Sequence, residues 1–550
     1  MNVVDAARAW RAQDPDPVTR TELDELIERA EAGEAAAAAD LHDRFDTRLA
    51  FGTAGLRGAL GAGSNRMNRV LVGQAAAGFA AYLREREPDA VPSVVIGYDG
   101  RRNSDVFARD SAEIFAGAGL RAILLPRLLP TPVLAFAVRH LGASAGVMVT
   151  ASHNPPDDNG YKVYLGGADQ GAQIVSPADA EIAAHIQAVA DRGDFAGIPR
   201  SEDIEIAEES VVEAYVAATA LVSPAPAGAA GMPWVYTAMH GVGYETLRRV
   251  LTVAGYPLPT VVDAQIHPDG RFPTVAFPNP EEPGAMDLSY ETARTAGADF
   301  ILANDPDADR LAVAVPDAAS ADGWRRLTGN EVGLLLGWRA ARSASAGSLA
   351  CSLVSSPGLE TVAAHYGLAF HATLTGFKWI SRAPDLVFGF EEALGYLVNP
   401  ATVRDKDGIS AAVAVLGLAA EAREEGRTLG DLLDSFSETF GHFASGQVSV
   451  RVDDLSVIGR IMTGLRQTPP TSVGAVAVDR IEDLLRAAPG EPSGDVLRLW
   501  LTDGSRVIVR PSGTEPKLKA YLDVRGDSAA DAAARLDALE RGARTLVASI

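Results

Sequence analysis

At 550 residues the chain is too long for one hydrophobic core and predicts roughly three to five domains. Lys+Arg 49 against Asp+Glu 72 leaves a net charge of −23, which argues against the broad basic surface that nucleic-acid binding needs. With 47% hydrophobic and 22% charged residues the composition is that of a folded soluble protein, and one cysteine, Cys351, excludes an intrachain disulfide.

In chain order, the first residues lack a basic segment followed by an apolar one, so no secretory leader is expected. Residues 2–47 are polar and rich in Ala and Glu at helical spacing, which predicts a helical extension. Short apolar strands then alternate with helical patterns. SVVIGYD (93–99) reads as a strand and 105–119 as a helix. RAILLP, TPVLAFAVRHLG and AGVMVTAS follow as strand, helix and strand. The theme recurs in PWVYTAMH, GYETLRRVLTVAG, a helix near 288–297 and ADFILAND. It returns again in SLACSLVSS, LETVAAHYG, AFHATLTG, LVFGFEE and a helix at 409–423. The apolar run AAVAVLGLAA inside that helix is too short to span a bilayer and reads as core, so no membrane is expected as a partner. Cys351 reads as a buried strand residue, and a reducing cytoplasmic setting fits its isolation. After about 445 the pattern changes to hairpins, with Asp503-Gly504 as a turn, and a final Ala-rich helix. Expected linkers are 221–233, which reads alternatively as a loop inside the second domain, 316–323 and the region around 440–447. The alternation predicts α/β domains with mixed, mostly parallel sheets and a C-terminal α+β domain.

Four motifs carry chemistry. TASHNPPDDNGYKVY (150–164) follows a predicted strand, where α/β proteins place ligands. It lacks the G-x-S-x-G elbow of a hydrolase, and in an extended segment Ser152 and His153 point to opposite sides. Taken alone it reads more readily as a polar loop with a capping serine, and the other motifs must decide. NDPDADR (304–310) places Asp305, Asp307 and Asp309 at i, i+2, i+4, which in an extended loop puts three carboxylates on one side. Three hard oxygens suit Mg²⁺, with Arg310 beside them for a phosphate. A calcium loop of EF-hand type would need Gly and Glu where Arg310 and Pro316 stand; a solvated acidic turn is the plainer alternative. VIVRPSGTEPKLKAY (507–521) supplies Arg510, Ser512, Gly513, Thr514 and Lys517 as a phosphate grip, or an ordinary hairpin end. GFEEALGY (389–396) supplies Glu391 as an acceptor for sugar hydroxyls, unless the Glu pair only starts a helix. TGFKWI adds Lys378, and AFGTAGLRGAL adds Arg57 in a glycine-rich turn. Together these describe an enzyme holding a phosphorylated sugar at both ends.

In these four motifs, and in their order, the chain from about 45 to 550 resembles the α-D-phosphohexomutase superfamily of phosphoglucomutases and phosphomannomutases. The N-terminal extension and the wording GFKWI and GFEEALGY are most similar to its phosphoglucomutase-2 branch. The resemblance implies four domains around a central cleft. These are expected at 46–205 with the phosphoserine loop, 206–320 with the metal loop, 321–443 with the sugar loop and 444–550 with the phosphate loop, after an extension at 1–45. It implies that Ser152 carries a phosphate linked through one Mg²⁺ to Asp305, Asp307 and Asp309. It also implies that Arg57, His153 and Lys162 lie beside it as unranked candidates for proton transfer or phosphate contact. The expected reaction interconverts glucose 1-phosphate and glucose 6-phosphate through a sugar 1,6-bisphosphate, with glucose 1,6-bisphosphate as activator. Mannose or pentose phosphates, or glucose-1,6-bisphosphate synthesis, are the alternatives, in a monomer or dimer. The loop departs from the Glu-x-Ser of many glucose- and mannose-acting members: Ala393 stands in place of the serine.

Overall fold

The computed structural model describes residues 2–452, 456–488, 493–511 and 517–548. The extension folds as three helices, Val3–Gln13, Pro17–Glu31 and Ala35–Phe45. Asn2 and Asp16 cap the first two, each accepting from a backbone N–H that the first turn leaves unpaired. Trp10, Leu23, Ile27 and Leu41 bury one face of the layer, in a core that continues to Ala62, Val70 and Phe195.

The first sheet runs in the order Leu56–Ala59, Asp158–Leu165, Ala145–Val149, Ser93–Tyr98, Arg121–Leu124, Glu205–Ile206, with Ala172–Gln173 beside the second of these. Its middle is parallel, as the alternation of strands and helices predicts. The strands Asp158–Leu165 and Leu56–Ala59 run antiparallel at one side. The loop of Ser152 therefore leaves the C-terminal end of a central strand, and the next two strands bring Lys162 and Arg57 back alongside it.

The second sheet runs Trp324–Arg326, Leu311–Pro316, Phe300–Asn304, Trp234–Thr237, Thr260–Val261. The stretch 316–323, expected as a linker, is the connection of a hairpin: Pro316 pairs with Trp324 and the second sheet continues to Arg326. Residues 221–233 are also held, since Arg423 donates to the carbonyls of Gly228 and Ala230, and Gly228 N donates to Glu424. The apolar helix Gly408–Glu424 is buried along nearly its whole length. It packs on the helices Glu209–Ala220 and Gly243–Ala254 and on the strands flanking the acidic loop. Residues 395–424 accordingly form one compact unit with 2–327. An all-round apolar helix must be covered on several sides, which sequence order does not supply.

Residues 328–394 and 425–548 form the other unit. Here Ser348–Ser352 lies between Ala369–Thr373 and Leu386–Glu391, all parallel. Burial pushes the Cys351 thiol up to about 12, as expected of an inert strand residue. The helix Leu429–Phe440 passes through Gly441 directly into the strand His442–Arg451, so the third expected linker is a tight junction. That strand opens an antiparallel sheet in the order His442–Arg451, Lys517–Gly526, Arg506–Pro511, Leu497–Leu501, Val476–Asp483, Ser472–Val473. Gly504 takes φ 84° in the predicted Asp-Gly turn, a value that a Cβ would strain. The helices Ser456–Gln467 and Ala529–Ala548 contribute to the core on this sheet. Among the described residues no helix is long and apolar enough to cross a membrane.

Candidate active site

Beyond the strand Ala145–Val149 the backbone turns sharply. Ser152 N donates to Thr150 Oγ1 at 2.9 Å, and Ser152 adopts φ 51°. This left-handed residue corrects the expectation that Ser152 and His153 diverge. The segment is not extended, and Ser152 Oγ lies 3.3 Å from His153 Nδ1. The same hydroxyl, in a residue 2% exposed, donates to Asp305 Oδ2 at 2.7 Å.

The three aspartates converge, but by a different route from the extended loop expected. Ala308 N donates to Asp305 O at 2.9 Å, Ala308 takes φ 55°, and Arg310 N donates to Asp305 Oδ1 at 3.0 Å. The loop curls around its own carboxylates. Buried Asn304 pins its two ends, accepting from Tyr236 OH at 2.7 Å and donating to Arg310 O at 2.6 Å. Asp305, Asp307 and Asp309 are fully buried, with one oxygen of each inside a 4.8 Å cluster. Asp307 Oδ1 and Asp309 Oδ1 are buried and accept no hydrogen bond among the described residues. Buried carboxylate oxygens without donors are costly unless a cation meets them, so this set fits a divalent ion with oxygen preference.

Cations of the chain hold the other oxygens. Lys162 Nζ donates to Asp307 Oδ2 and Asp309 Oδ2, both at 2.7 Å, and Thr131 Oγ1 donates to Asp307 Oδ2 at 2.6 Å. Lys406 Nζ lies 3.3 Å from Asp309 Oδ2 and 3.1 Å from Asp405. Burial opposes ionisation of Asp307, but the Lys162 ammonium and the hydrogen bonds outweigh it and hold the carboxyl below its usual range. Asp309 is also held low: burial and Asp307 oppose its charge, and Lys162, Lys406 and Arg310 prevail. Asp305 is pushed well up, by burial first and then by the two neighbouring carboxylates. Burial works against a charged Lys162, yet Asp307 and Asp309 raise it, so it stays an ammonium. His153 is lowered well below its ordinary value by burial and then by Arg310 and Arg57, which leaves a neutral imidazole at pH 7. Arg57 Nη1 donates to Asn154 Oδ1 at 3.0 Å, and Arg310 Nε lies 3.7 Å from Asp309 Oδ1. Thus Ser152, His153, Lys162, Arg57, Arg310 and the triad gather in one place.

The remaining candidates lie in the other unit. Glu391 ends its strand half-buried, and the chain turns there instead of starting a helix. Glu392 is braced: Ser352 and Ser355 hydroxyls donate to its Oε2 at 3.0 and 3.1 Å. Lys378 sits half-buried on the one-turn helix Phe377–Ile380. Arg510 pairs across the sheet with Lys519, and burial pushes the Tyr521 hydroxyl up, with Glu392, Arg510 and Glu391 as the charges around it. Lys517 begins the last strand, half-buried. Ser512, Gly513 and Thr514 lie outside the described residues. Sequence reasoning missed Lys406, Thr131 and the serines behind Glu392. For Lys406 there was a signal, the charged run RDKD immediately ahead of a strongly apolar helix.

Two α/β layers meeting at a serine and a buried acidic triad, a third α/β layer and a C-terminal antiparallel α+β layer define a four-domain phosphosugar mutase. Comparison agrees domain by domain. Phosphoglucomutase/phosphomannomutase alpha/beta/alpha domains I, II and III match residues 48–192, 213–318 and 328–440, and the C-terminal domain matches 471–540. The chain is 54% identical to a Haemophilus influenzae protein named "Probable phosphomannomutase", over 88% of this chain and 98% of that one. It is 34% identical to the phosphoribomutase of Saccharomyces cerevisiae over 94% and 92%, and 34% identical to the human phosphopentomutase over 88% and 86%. Its fold matches that of a phosphoglucomutase/phosphomannomutase family protein from Burkholderia thailandensis, with TM-score 0.69 and 18% identity over 91% and 98%. The chain belongs to the phosphoglucomutase/phosphomannomutase family and is an isomerase of that type.

Proposed function

We propose that this enzyme interconverts glucose 1-phosphate and glucose 6-phosphate through a phosphorylated Ser152 and glucose 1,6-bisphosphate, the latter also serving as activator. The observation that carries this reading is the 2.7 Å bond from Ser152 Oγ to Asp305, at the edge of a triad with two donor-free oxygens. Ser152, Asp305, Asp307 and Asp309 would hold one Mg²⁺, which when bound neutralises charge on the transferring phosphoryl group. Ser152 gives its phosphoryl group to a sugar hydroxyl: the Oγ–P bond breaks, the sugar O–P bond forms, the hydroxyl proton leaves to a base, and the freed Ser152 Oγ takes up a proton. His153, with Nδ1 3.3 Å from Ser152 Oγ, is placed to take that proton, as a base weakened by burial and by Arg310 and Arg57. In the return step Ser152 Oγ forms the new bond to phosphorus, the bond from phosphorus to the sugar oxygen breaks, the Ser152 proton leaves to His153, and the released sugar oxygen is protonated. Arg57 and Arg310 supply positive charge where the phosphoryl oxygens gather it. Lys162 keeps Asp307 and Asp309 ionised. Glu391 and Lys378 read the sugar, and Arg510, Ser512, Gly513, Thr514 and Lys517 hold the second phosphate. The lone buried cysteine suits a cytoplasmic enzyme.

A second reading, with a pentose 1- and 5-phosphate pair as substrate, is favoured by Ala393, which removes a sugar-facing hydroxyl, and by the relatives named phosphoribomutase and phosphopentomutase. A panel of glucose, mannose and ribose phosphates at matched concentrations decides between them by kcat/KM. The panel is run with and without 1,3-bisphosphoglycerate. Accumulation of a bisphosphate with little interconversion would instead make the protein a bisphosphate synthase.

A further inference from the structure

Ser152 is held at φ 51°, a conformation that residues with a Cβ avoid unless their surroundings impose it. Besides the local bond to Thr150, Arg101 grips this segment from outside the loop. Its Nη2 donates to Ser152 O and Asn154 O, both at 2.6 Å, and its Nη1 to Pro155 O at 2.8 Å and Asp158 O at 3.1 Å. Four carbonyl oxygens turned toward one point repel each other, and a planar cation with paired donors is what lets them converge. Arg101 is 3% exposed, and Asp99 lies 3.7 Å from its Nε. One face of the guanidinium is covered by the Phe272 ring, whose centroid is 4.9 Å from Cζ. Phe272 comes from the second domain and itself sits at φ 47°. Its segment closes on the turn of Arg101 so tightly that a Cβ at Gly270 would meet Gly100 O and Arg102 N at 2.8 Å.

We propose that Arg101, backed by Phe272, is a positioning residue for phosphoryl transfer: it shapes residues 152–158 so that Ser152 Oγ faces Asp305. This rests on Ser152 being the phosphoryl carrier. A lysine keeps the charge but cannot span four carbonyls, and displacing a reacting group by about 1 Å costs on the order of a hundredfold in rate.

The test uses full-length Arg101→Lys, Phe272→Leu and Phe272→Tyr, with Ser152→Ala as control. Each is assayed for kcat and KM with glucose 1-phosphate and Mg²⁺, for thermal midpoint, and for amide exchange over 152–158. In Arg101→Lys, kcat is expected to fall about a hundredfold with KM changed by less than about threefold, and exchange in 152–158 to quicken. Phe272→Leu should lose about threefold to tenfold in kcat and Phe272→Tyr should regain it, because the tyrosine ring still faces the cation. Unchanged kcat per folded molecule in Arg101→Lys, or a loss accounted for by unfolding with exchange over 152–158 unaltered, overturns the proposal. If Arg101→Lys does not fold, equal kcat in the two Phe272 variants overturns it. Retained turnover in Ser152→Ala overturns the carrier reading instead, and the exchange data remain a separate measure of the hold of Arg101 on the loop.

Discussion

The acidic centre in residues 2–327 and the candidate sugar and phosphate grips in residues 328–548 are built differently. In the first, the serine, the triad and the lysine that holds it are buried, Ser152 2%, the triad 0% and Lys162 5% exposed, and only His153, Arg57 and Arg310 are half-buried at its edge. Its charges are matched by hydrogen bonds of 2.6–2.7 Å, and its strained residues are held from several sides. In the second, Glu391, Lys378, Arg510 and Lys517 are half-buried at strand ends and turns, while the buried polar groups stand behind them. Arg506 joins Asp523 at 2.6 Å and donates to Ser355 O at 2.7 Å, and Ser355 braces Glu392. Transferring a highly charged group needs dipoles fixed in advance and little water. Recognising a sugar needs side chains left accessible on a stiff support.

That contrast is exposed to experiment most severely at Ser152. Ser152→Ala should lose about 10⁴-fold or more in turnover and no longer carry phosphate by intact mass; normal turnover would remove the carrier altogether. Next in size is the cation. Chelation should abolish activity and Mg²⁺ restore it, and Asp307→Asn should need more Mg²⁺ and lose about a hundredfold or more in kcat, read from an activity titration. Arg510→Ala should act on binding, raising KM about tenfold to a hundredfold with a smaller change in kcat. A kcat loss as deep as that of Ser152→Ala would erase the distinction between the two regions. Ser355→Ala should leave turnover of the best substrate within about fivefold but shift the ratio of kcat/KM between hexose and pentose phosphates, since it loosens the sugar loop alone.

The smallest effect concerns stability. Asp407 caps the helix Gly408–Glu424 through Ile409 N and Ser410 N and accepts from Tyr215, and burial pushes its carboxyl up to about 6. The folded protein therefore holds this proton to higher pH than the unfolded chain does. Between about pH 4 and pH 6 the unfolded state binds fewer protons, and this group's contribution to stability falls as pH rises. Asp407→Asn keeps the capping oxygen and removes the slope, so thermal midpoints of variant and wild type should draw apart in favour of the variant as pH rises through that window.

The order of strands and helices in the first three domains was legible because alternating short apolar runs and 3.6-residue periodicity are local properties. The Asp503-Gly504 turn was legible for the same reason, as were the spacing of Asp305, Asp307 and Asp309 and the serine after a buried strand. Local spacing misled where a single left-handed residue redirects the chain. Ser152 at φ 51° brings its hydroxyl to His153, and Ala308 at φ 55° curls the acidic loop. Neither is a glycine, so nothing in the residue type announces the turn.

By itself the amino-acid sequence determined the residue types, their spacing and their place at strand ends, because these depend on neighbours a few positions away. It also determined the family, since four motifs occur in one order. Only the tertiary structure decided that Lys406 and Thr131 reach the triad, that Arg101 gathers four carbonyls beneath Phe272, and that residues 395–424 join the first unit. Those facts depend on contacts across tens to hundreds of residues, where burial selects whichever partner satisfies an unpaired charge or covers an apolar face.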